Sequence, residues 1–471
     1  MSIDSREARA GDLFVGLRGE RSDGGQYAAR ALQAGAWGVL IAPEHARAAV
    51  AAHTGGAVLA HPDPLAGLQA LALQWRRELR AGGTRVVAIT GSTGKTSTKD
   101  ILAAILSGEL RTVVSPENFN TEIGLPLAVL AAPSDTDVLV LELAMRGAGQ
   151  IAQLTRIAEP DVGVIVNVGP VHLELLGTLE AIAAAKAELI AGLKPGATVV
   201  VPVDEPLLDE HLRGDLRTVT FGPGGDFSLE QAPPAGEVVV HERHPPQVPP
   251  PRRIDGADDA DDADDADDAD DARIVLRPSF RAAHNLRNLL AAVAAARALG
   301  VTPQGRVEVR FSRLRGERLA LSGGVVVIND CYNANPMSMR AAIDDLAETA
   351  PARRVAVLGD MLELGPGAPG FHREIGEHAT ARGIELLITV GRLAAEMRGG
   401  FAGEAYAAPD AVAAVELLAP LLRDGDTVLV KGSRGVGLEL VAEALAGGSE
   451  LLGGADSDAS ALARCAGEGR R

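Results

Sequence analysis

The stretch Val86–Asp100, VVAITGSTGKTSTKD, holds residue types whose order could do phosphate chemistry. Four residues of strand character, Val86–Ile89, run into a glycine turn, and a helical pattern follows at once. Gly91 and Gly94 let the backbone approach a ligand without a Cβ in the way. A helix start aims unpaired N–H groups, worth about half a positive charge, at whatever sits in the turn. Lys95 adds a full charge and Thr96 a hydroxyl suited to Mg²⁺. The contacts expected for a bound nucleoside triphosphate are therefore Gly91, Ser92, Thr93, Gly94, Lys95, Thr96 and Ser97. The spacing departs from the general GxxxxGK[ST] form, because Ile89 stands where the first glycine would be.

Three further polar residues sit where an open α/β sheet would gather its ligands, beyond the carboxyl ends of its strands. Glu142 interrupts VLVLEL near the end of an aliphatic strand. A buried carboxylate is costly unless it is paired or ligated, so a metal ion or a salt bridge explains it. His172 follows the strand run Asp161–Val168 across Gly169-Pro170 and reads either as a hydrogen-bonded loop histidine or as a ligand. Lys186 falls in the middle of the apolar face formed by Leu179, Ile182, Leu189, Ile190 and Leu193 on a helix starting near Thr178. Its ammonium either snorkels to the helix edge or is carbamylated, which would turn the cation into an anionic oxygen ligand.

The elements that must position these groups repeat along the chain. Residues 1–82 read as a small α/β unit with strands at Asp12–Leu17 and Trp37–Ala42 and a helix through Tyr27–Ala34. Residues 83–300 alternate aliphatic strands (Val86–Thr90, Asp137–Leu143, Asp161–Val168, Thr198–Val203) with Ala-rich helices, the pattern of a parallel sheet covered on both faces. Residues 301–455 repeat the rhythm at Val325–Asn329, Arg354–Leu358, Leu386–Val390 and Thr427–Val430, a doubly wound sheet again. The expected fold class is thus α/β with three domains, followed by a loose tail over 456–471. Aromatics are only 3% of the chain, so the cores must be built from aliphatic residues.

The formal charge of −18 is largely local: removing the eleven aspartates of 255–271 brings it to −7, that of an ordinary acidic enzyme with no nucleic-acid partner. That run, within a Pro-rich and acidic stretch over about 245–272, reads as a disordered surface insert. Two cysteines, Cys331 and Cys465, cannot make a disulfide framework, which fits a reducing cytoplasm. No apolar run reaches the roughly 18 residues that a bilayer span needs.

Taken together, GSTGKTSTK (91–99), NFNTEIGLP (118–126), ELAMRGAGQI (142–151), NVGPVHLELLGTLEAIAAAKAEL (167–189), HNLRNLLAAVAAARALG (284–300), NDCYNANPMSM (329–339), GDMLELG (359–365) and KGSRG (431–435) resemble the Mur ligases of peptidoglycan synthesis. The resemblance covers almost the whole chain. It implies a UDP-sugar-binding first domain, a central ATP-binding P-loop domain and a Rossmann-like C-terminal domain in a cytoplasmic monomer. YNANP and GDMLELG point within the family to the addition of D-alanyl-D-alanine to UDP-N-acetylmuramoyl-tripeptide through an acyl phosphate. Two other readings stay open: an amide ligase of the Mur or folylpolyglutamate type with another acceptor, and a non-catalytic nucleotide-binding homologue.

By resemblance, Lys95 and the loop amides hold the phosphates, and Thr96 and Glu142 hold one Mg²⁺. His172 and carbamylated Lys186 hold a second. Asn285 and Asn288 meet adenine, although Asn285 reads equally as a helix cap, and Arg318 and Asp330 reach the phosphates and ribose. Asn120, Tyr332, Asn333 and Asn335 are implied substrate contacts, with Tyr332 and Asn335 open to a plain turn role. Lys431 and Arg434 suit a carboxylate or phosphate, and closure of the outer domains is implied. Ser5 and Arg6 are implied to receive the UDP-sugar. The family carries a further strand and helix ahead of its DSR motif, whereas this sequence starts almost on it (Asp4–Arg6), so the first domain reads as shortened. Gly25 stands where a histidine is common, Ala144 where a glycine is, and Pro202-Val203-Asp204 replaces Asn-x-Asp.

Overall fold

Aliphatic runs become the inner strands of parallel sheets, because only strands covered on both faces can bury every side chain. The computed structural model describes residues 1–51, 55–230, 236–243 and 272–447. The chain divides into two compact units, Met1–Ser312 and Arg313–Arg471. The acidic run 255–271, the tail 456–471 and Cys465 lie outside the described residues.

The first unit opens with β1 (Leu13–Val15), α1 (Ala28–Gln33), β2 (Gly38–Ile41), α2 (Pro43–Ala51), β3 (Ala57–Ala60) and α3 (Pro64–Ala81). β1, β2 and β3 form a small parallel sheet. Helix α3 starts where Asp63 accepts the N–H groups of Leu65 and Ala66 ahead of Pro64.

A larger sheet follows in the same unit. Its elements are β4 (Arg85–Thr90), α4 (Lys95–Leu106), β5 (Thr112–Val114), α5 (Gly124–Ala131), β6 (Val138–Glu142), α6 (Gln150–Ala158), β7 (Val162–Ile165), α7 (Leu173–Leu176), α8 (Leu179–Gly192) and β8 (Thr198–Pro202). They continue with β9 (Arg217–Phe221), β10 (Phe227–Leu229), β11 (Val238–Glu242), β12 (Ala272–Pro278), α9 (Ala283–Ala298) and β13 (Gly305–Val307). The strand order is β13-β12-β11-β10-β9-β8-β7-β4-β6-β5. From β5 to β9 every pairing is parallel, and β11 runs antiparallel to both β10 and β12. This antiparallel extension has no counterpart in the sequence reading, since its strands are short and partly polar. Helices α4 and α9 cover one face, and α5, α6 and α8 the other. Arg76, fully buried on α3, donates to Ala158 O at 2.9 Å and pairs with Asp161 at 2.7 Å, which bolts α3 to this layer.

The second unit contains β14 (Glu317–Ala320), β15 (Val326–Asn329), α10 (Pro336–Thr349), β16 (Arg354–Gly359), α11 (Ala368–Ala381), β17 (Leu386–Val390), β18 (Glu404–Ala408), α12 (Ala411–Leu418), β19 (Thr427–Lys431) and α13 (Glu439–Gly447). Its strand order is β14-β15-β19-β16-β17-β18, parallel except for the edge strand β14. The expected boundary at residue 300 moves. Strand β13 pairs with β12, and Ser312 donates both N–H and Oγ to Asp100 at 2.9 Å, so residues 301–312 belong to the first unit. Among the described residues no helix is long and apolar enough to cross a membrane.

Candidate functional site

The large sheet changes direction at β4. From β4 the chain passes through α4 to β5 and β6 on one side, then through α6 to β7 on the other. In an open α/β sheet such a switch point leaves a crevice beyond the carboxyl ends of the strands, where ligands bind. The loop Gly91–Gly94, Glu142 at the end of β6 and Asn167 just past β7 all stand there.

The loop is held from β7's side. Asn167 Oδ1 accepts the N–H groups of Ser92 and Thr93 at 3.1 and 2.9 Å, and its Nδ2 donates to Thr93 O and Oγ1 at 3.2 and 3.0 Å. Ser92 Oγ accepts from Gly169 N–H at 2.8 Å and donates to Gly169 O at 3.0 Å. Gly91 has φ +156° and Gly94 φ +75°, both in the region that side chains avoid. A Cβ on Gly94 would collide with Asn288 Oδ1, so the loop is seated against α9. Lys95 folds back to donate to Gly91 O at 2.9 Å, and Ser97 stands half-buried in the same first turn of α4.

Glu142 is 5% exposed, and its two carboxylate oxygens accept from different elements. Oε2 takes the Thr96 hydroxyl at 2.7 Å and Oε1 the Asn120 amide at 3.1 Å. A buried carboxylate beside a hydroxyl is an oxygen set of the kind that Mg²⁺ prefers.

Lys186 is 1% exposed on α8, so snorkelling is excluded. Burial lowers its ammonium pKa well below the ordinary lysine value, and the positive charge of Lys95 lowers it further. A buried amine pressed by another cation is stabilised by losing its own charge, which favours the neutral form that reacts with CO₂. Leu179, expected on the same apolar face, is exposed instead. His172 adopts φ +53°, a left-handed conformation that is uncommon for residues with a Cβ, at the N-cap position just ahead of α7. Such conformations persist where the surroundings impose them, and functional sites are enriched in them.

Asn285 and Asn288 lie together on α9, with Nδ2 of Asn288 3.3 Å from Oδ1 of Asn285. Asn285 is the third residue of the helix, which removes its reading as the cap.

In the turn ahead of β1, Arg6 pairs with Asp4 at 2.5 Å and Ser5 is buried. The Arg6 guanidinium is thus engaged within its own motif. A Cβ on Gly25 would collide with the His45 ring, so a histidine side chain from α2 fills the space beside Gly25.

The second unit has its own polar cluster at the carboxyl ends of β15, β16 and β19. Lys431 is buried and donates to Asp330 Oδ2 at 2.7 Å and Asn333 O at 2.9 Å. Its charge is therefore spent inside the fold, contrary to the expected ligand role, whereas Arg434 is 60% exposed. Asn335 caps α10 in a reciprocal pair with Ser338, so its side chain serves the helix, and Asn333 Oδ1 accepts from Ala334 N–H. Arg318, expected near the phosphates, pairs with Asp345 and Thr349 at 2.9 and 2.7 Å. Arg315, three residues earlier, lies over the Tyr332 ring at 3.9 Å, and its buried Nε has no hydrogen-bond partner among the described residues. Asn167 was missed by the sequence reading. Asn167 sits in a quoted motif, but nothing local marks it as the residue that clamps a loop 75 positions earlier.

A glycine-turned loop between strand and helix, at the switch point of a parallel sheet and facing a buried carboxylate, defines a nucleotide-binding α/β enzyme. Comparison with known proteins narrows the class. The Mur ligase family catalytic domain matches residues 1–74, the Mur ligase middle domain 89–247 and the Mur ligase glutamate ligase domain 310–434. The chain belongs to the Mur ligase family. It is 34% identical to the UDP-N-acetylmuramoyl-tripeptide–D-alanyl-D-alanine ligase of Bacillus subtilis (strain 168), over 94% of this chain and 92% of that one. It is 36% identical to the ligase of the same name from Mycobacterium tuberculosis (strain ATCC 25618 / H37Rv), over 94% and 91%. The crystal structure of MurF ligase from Thermotoga maritima in complex with ADP matches with a TM-score of 0.76 and 29% identity, covering 95% of this chain and 97% of that one.

Proposed function

We propose that this chain is an ATP-dependent ligase that joins D-alanyl-D-alanine to UDP-N-acetylmuramoyl-tripeptide in the cytoplasm. The tripeptide's terminal carboxylate attacks the γ-phosphorus of ATP, ADP leaves, and an acyl phosphate results. The dipeptide's amine then attacks the acyl carbon, phosphate leaves, and the amine gives up a proton. The observation that carries the catalytic part is the Thr96–Glu142 contact, which sets a buried carboxylate against the phosphate loop. The choice of substrates rests on relatives that bear this activity in their names and match nearly end to end.

The chain's own work is to position reactants and offset gathering negative charge. Lys95 and the amides of Gly91–Ser97 bind the β- and γ-phosphates once Lys95 swings from Gly91 O. Asn167 keeps the loop in the shape that presents those amides. Asn285 and Asn288 bind the adenine side. Thr96 and Glu142 would hold one Mg²⁺ and His172 with carbamylated Lys186 a second, supplying neutralisation of the phosphate oxygens. In the second unit, Asp330 and Tyr332 are the proposed ligand contacts, Tyr332 on the side of the incoming dipeptide.

The test is phosphate release by purified protein given ATP, Mg²⁺ and each acceptor alone or together. Release should require both UDP-N-acetylmuramoyl-tripeptide and D-alanyl-D-alanine. Release with glutamate and a folate acceptor, or ATP binding without turnover, would replace this reading with one of its rivals.

A further inference from the structure

Three loops leave the carboxyl ends of β15, β16 and β19, and a single serine ties them together. Ser433, 4% exposed, accepts the Leu362 N–H on its hydroxyl at 3.0 Å and turns the same hydroxyl toward Ala334 O at 3.4 Å. Its own N–H donates to Asp360 O at 3.0 Å. One residue of the β19 loop thus fixes both the 331–335 loop and the 360–364 loop.

A second brace comes from α11. His372 is fully buried, its Nε2 accepts the Met361 N–H at 2.9 Å, and its Nδ1 lies 2.6 Å from Ala368 O. With Nε2 accepting, the proton sits on Nδ1, so the ring is neutral and both nitrogens are used. Asp360 Oδ1 is fixed in turn by Ala394 N–H at 2.6 Å.

The surface these braces shape has a definite chemistry. Leu362 is 42% exposed, and its Cδ1 would stand 3.3 Å from a Cβ on Gly435, which places it beside the Arg434 segment. An exposed leucine next to the largely exposed guanidinium of Arg434, which lies 3.6 Å from Glu439, suits a small acceptor with methyl side chains and a carboxylate. Loops lack the ladder that holds strands in place, so side-chain bonds must set their polar groups. A misplacement of about 1 Å can cost about 100-fold in rate.

We infer that Ser433 and His372 are positioning residues that set the 331–335 and 360–364 loops as the seat of the acceptor dipeptide. The inference rests on the ligase reading above. Removing either brace frees the loops without touching the phosphate loop of the first unit.

The test uses the full-length enzyme and steady-state phosphate release, varying each substrate in turn. Ser433→Ala and His372→Phe should raise KM for D-alanyl-D-alanine about tenfold or more, with KM for ATP and UDP-N-acetylmuramoyl-tripeptide within about twofold. Ser433→Thr, which keeps the hydroxyl, should recover most of the loss. A dipeptide KM unmoved in folded Ser433→Ala, or three KM values raised alike, would overturn the inference. His372→Phe decides in the same way where Ser433→Ala does not fold. Wild-type enzyme that ignores D-alanyl-D-alanine would instead sink the substrate reading, so the two failures are distinguishable.

Discussion

The Thr96 hydroxyl lies 2.7 Å from Glu142 Oε2, joining the first turn of α4 to the last residue of β6. The two residues are 46 positions apart, and they meet because β4 and β6 pair in parallel with Ile89 opposite Glu142. That register puts the residue ending one strand beside the turn that follows the other.

Glu142→Gln keeps the shape and removes the charge. Phosphate release should fall about 100-fold or more, because the substitution removes a buried anion from the phosphate site. The melting temperature should hold or rise, since an unneeded buried charge is costly to fold around. Steady-state kinetics beside thermal unfolding separate the two effects, and a loss under tenfold would remove Glu142 from the machinery.

Lys186→Ala should abolish turnover, and bicarbonate or short carboxylates should restore part of it by supplying the missing oxygen ligand. The low ammonium pKa imposed by burial and by Lys95 is what makes the amine available to CO₂. Absence of rescue, together with an unmodified lysine mass in active enzyme, would remove the carbamate.

Asn167→Ala removes both acceptor bonds and both donor bonds to the phosphate loop. KM for ATP should rise about tenfold with the fold intact. Asn167→Asp keeps the acceptors for Ser92 and Thr93 and should fall between wild type and Ala. Equal losses in the two variants would show that the amide is not a clamp.

Burial holds the His372 imidazole below the ordinary histidine pKa, with Asp360 and Glu396 opposing the shift. The unfolded chain therefore binds a proton, below pH about 6.5, that the folded chain refuses. The stabilisation is complete above that pH and is lost as pH falls toward the lowered folded value, by at most about 1.4 kcal/mol per pH unit. Wild-type melting temperature should drop between pH 7.5 and 5.5 more steeply than that of His372→Phe. Parallel curves would contradict it.

Much of this was legible in the sequence. The strands at Val86–Thr90, Leu386–Val390 and Thr427–Val430 appear almost as read, because continuous aliphatic runs have few other ways to bury themselves. The helix carrying Lys186 begins where Thr178 caps it, and the out-of-place lysine marked itself by breaking an apolar face. The antiparallel strands β10 to β12 were not legible, since three to seven residues of mixed polarity carry no distinctive period.

Arg315 and Arg318 show where the sequence stopped. They are three residues apart and equally charged. Strand β14 pairs with β15 at Arg318–Ile328, and its pleat directs Arg318 to Asp345 on α10. Arg315 precedes the strand, after Leu314 at φ +60°, and lands on Tyr332. Lys431 is a similar case: a lysine after a strand reads as a ligand, until the fold gives it Asp330.

The sequence by itself determined the alternation of strand and helix, the glycine turn ahead of Lys95 and the exceptional polarity of Glu142 and Lys186. These depend on backbone sterics and on hydrophobic period, which act over a few residues. Only the tertiary structure decided which side chain meets which. Such pairings follow from strand register and helix packing between residues far apart in the chain, and no local pattern of residue types encodes them.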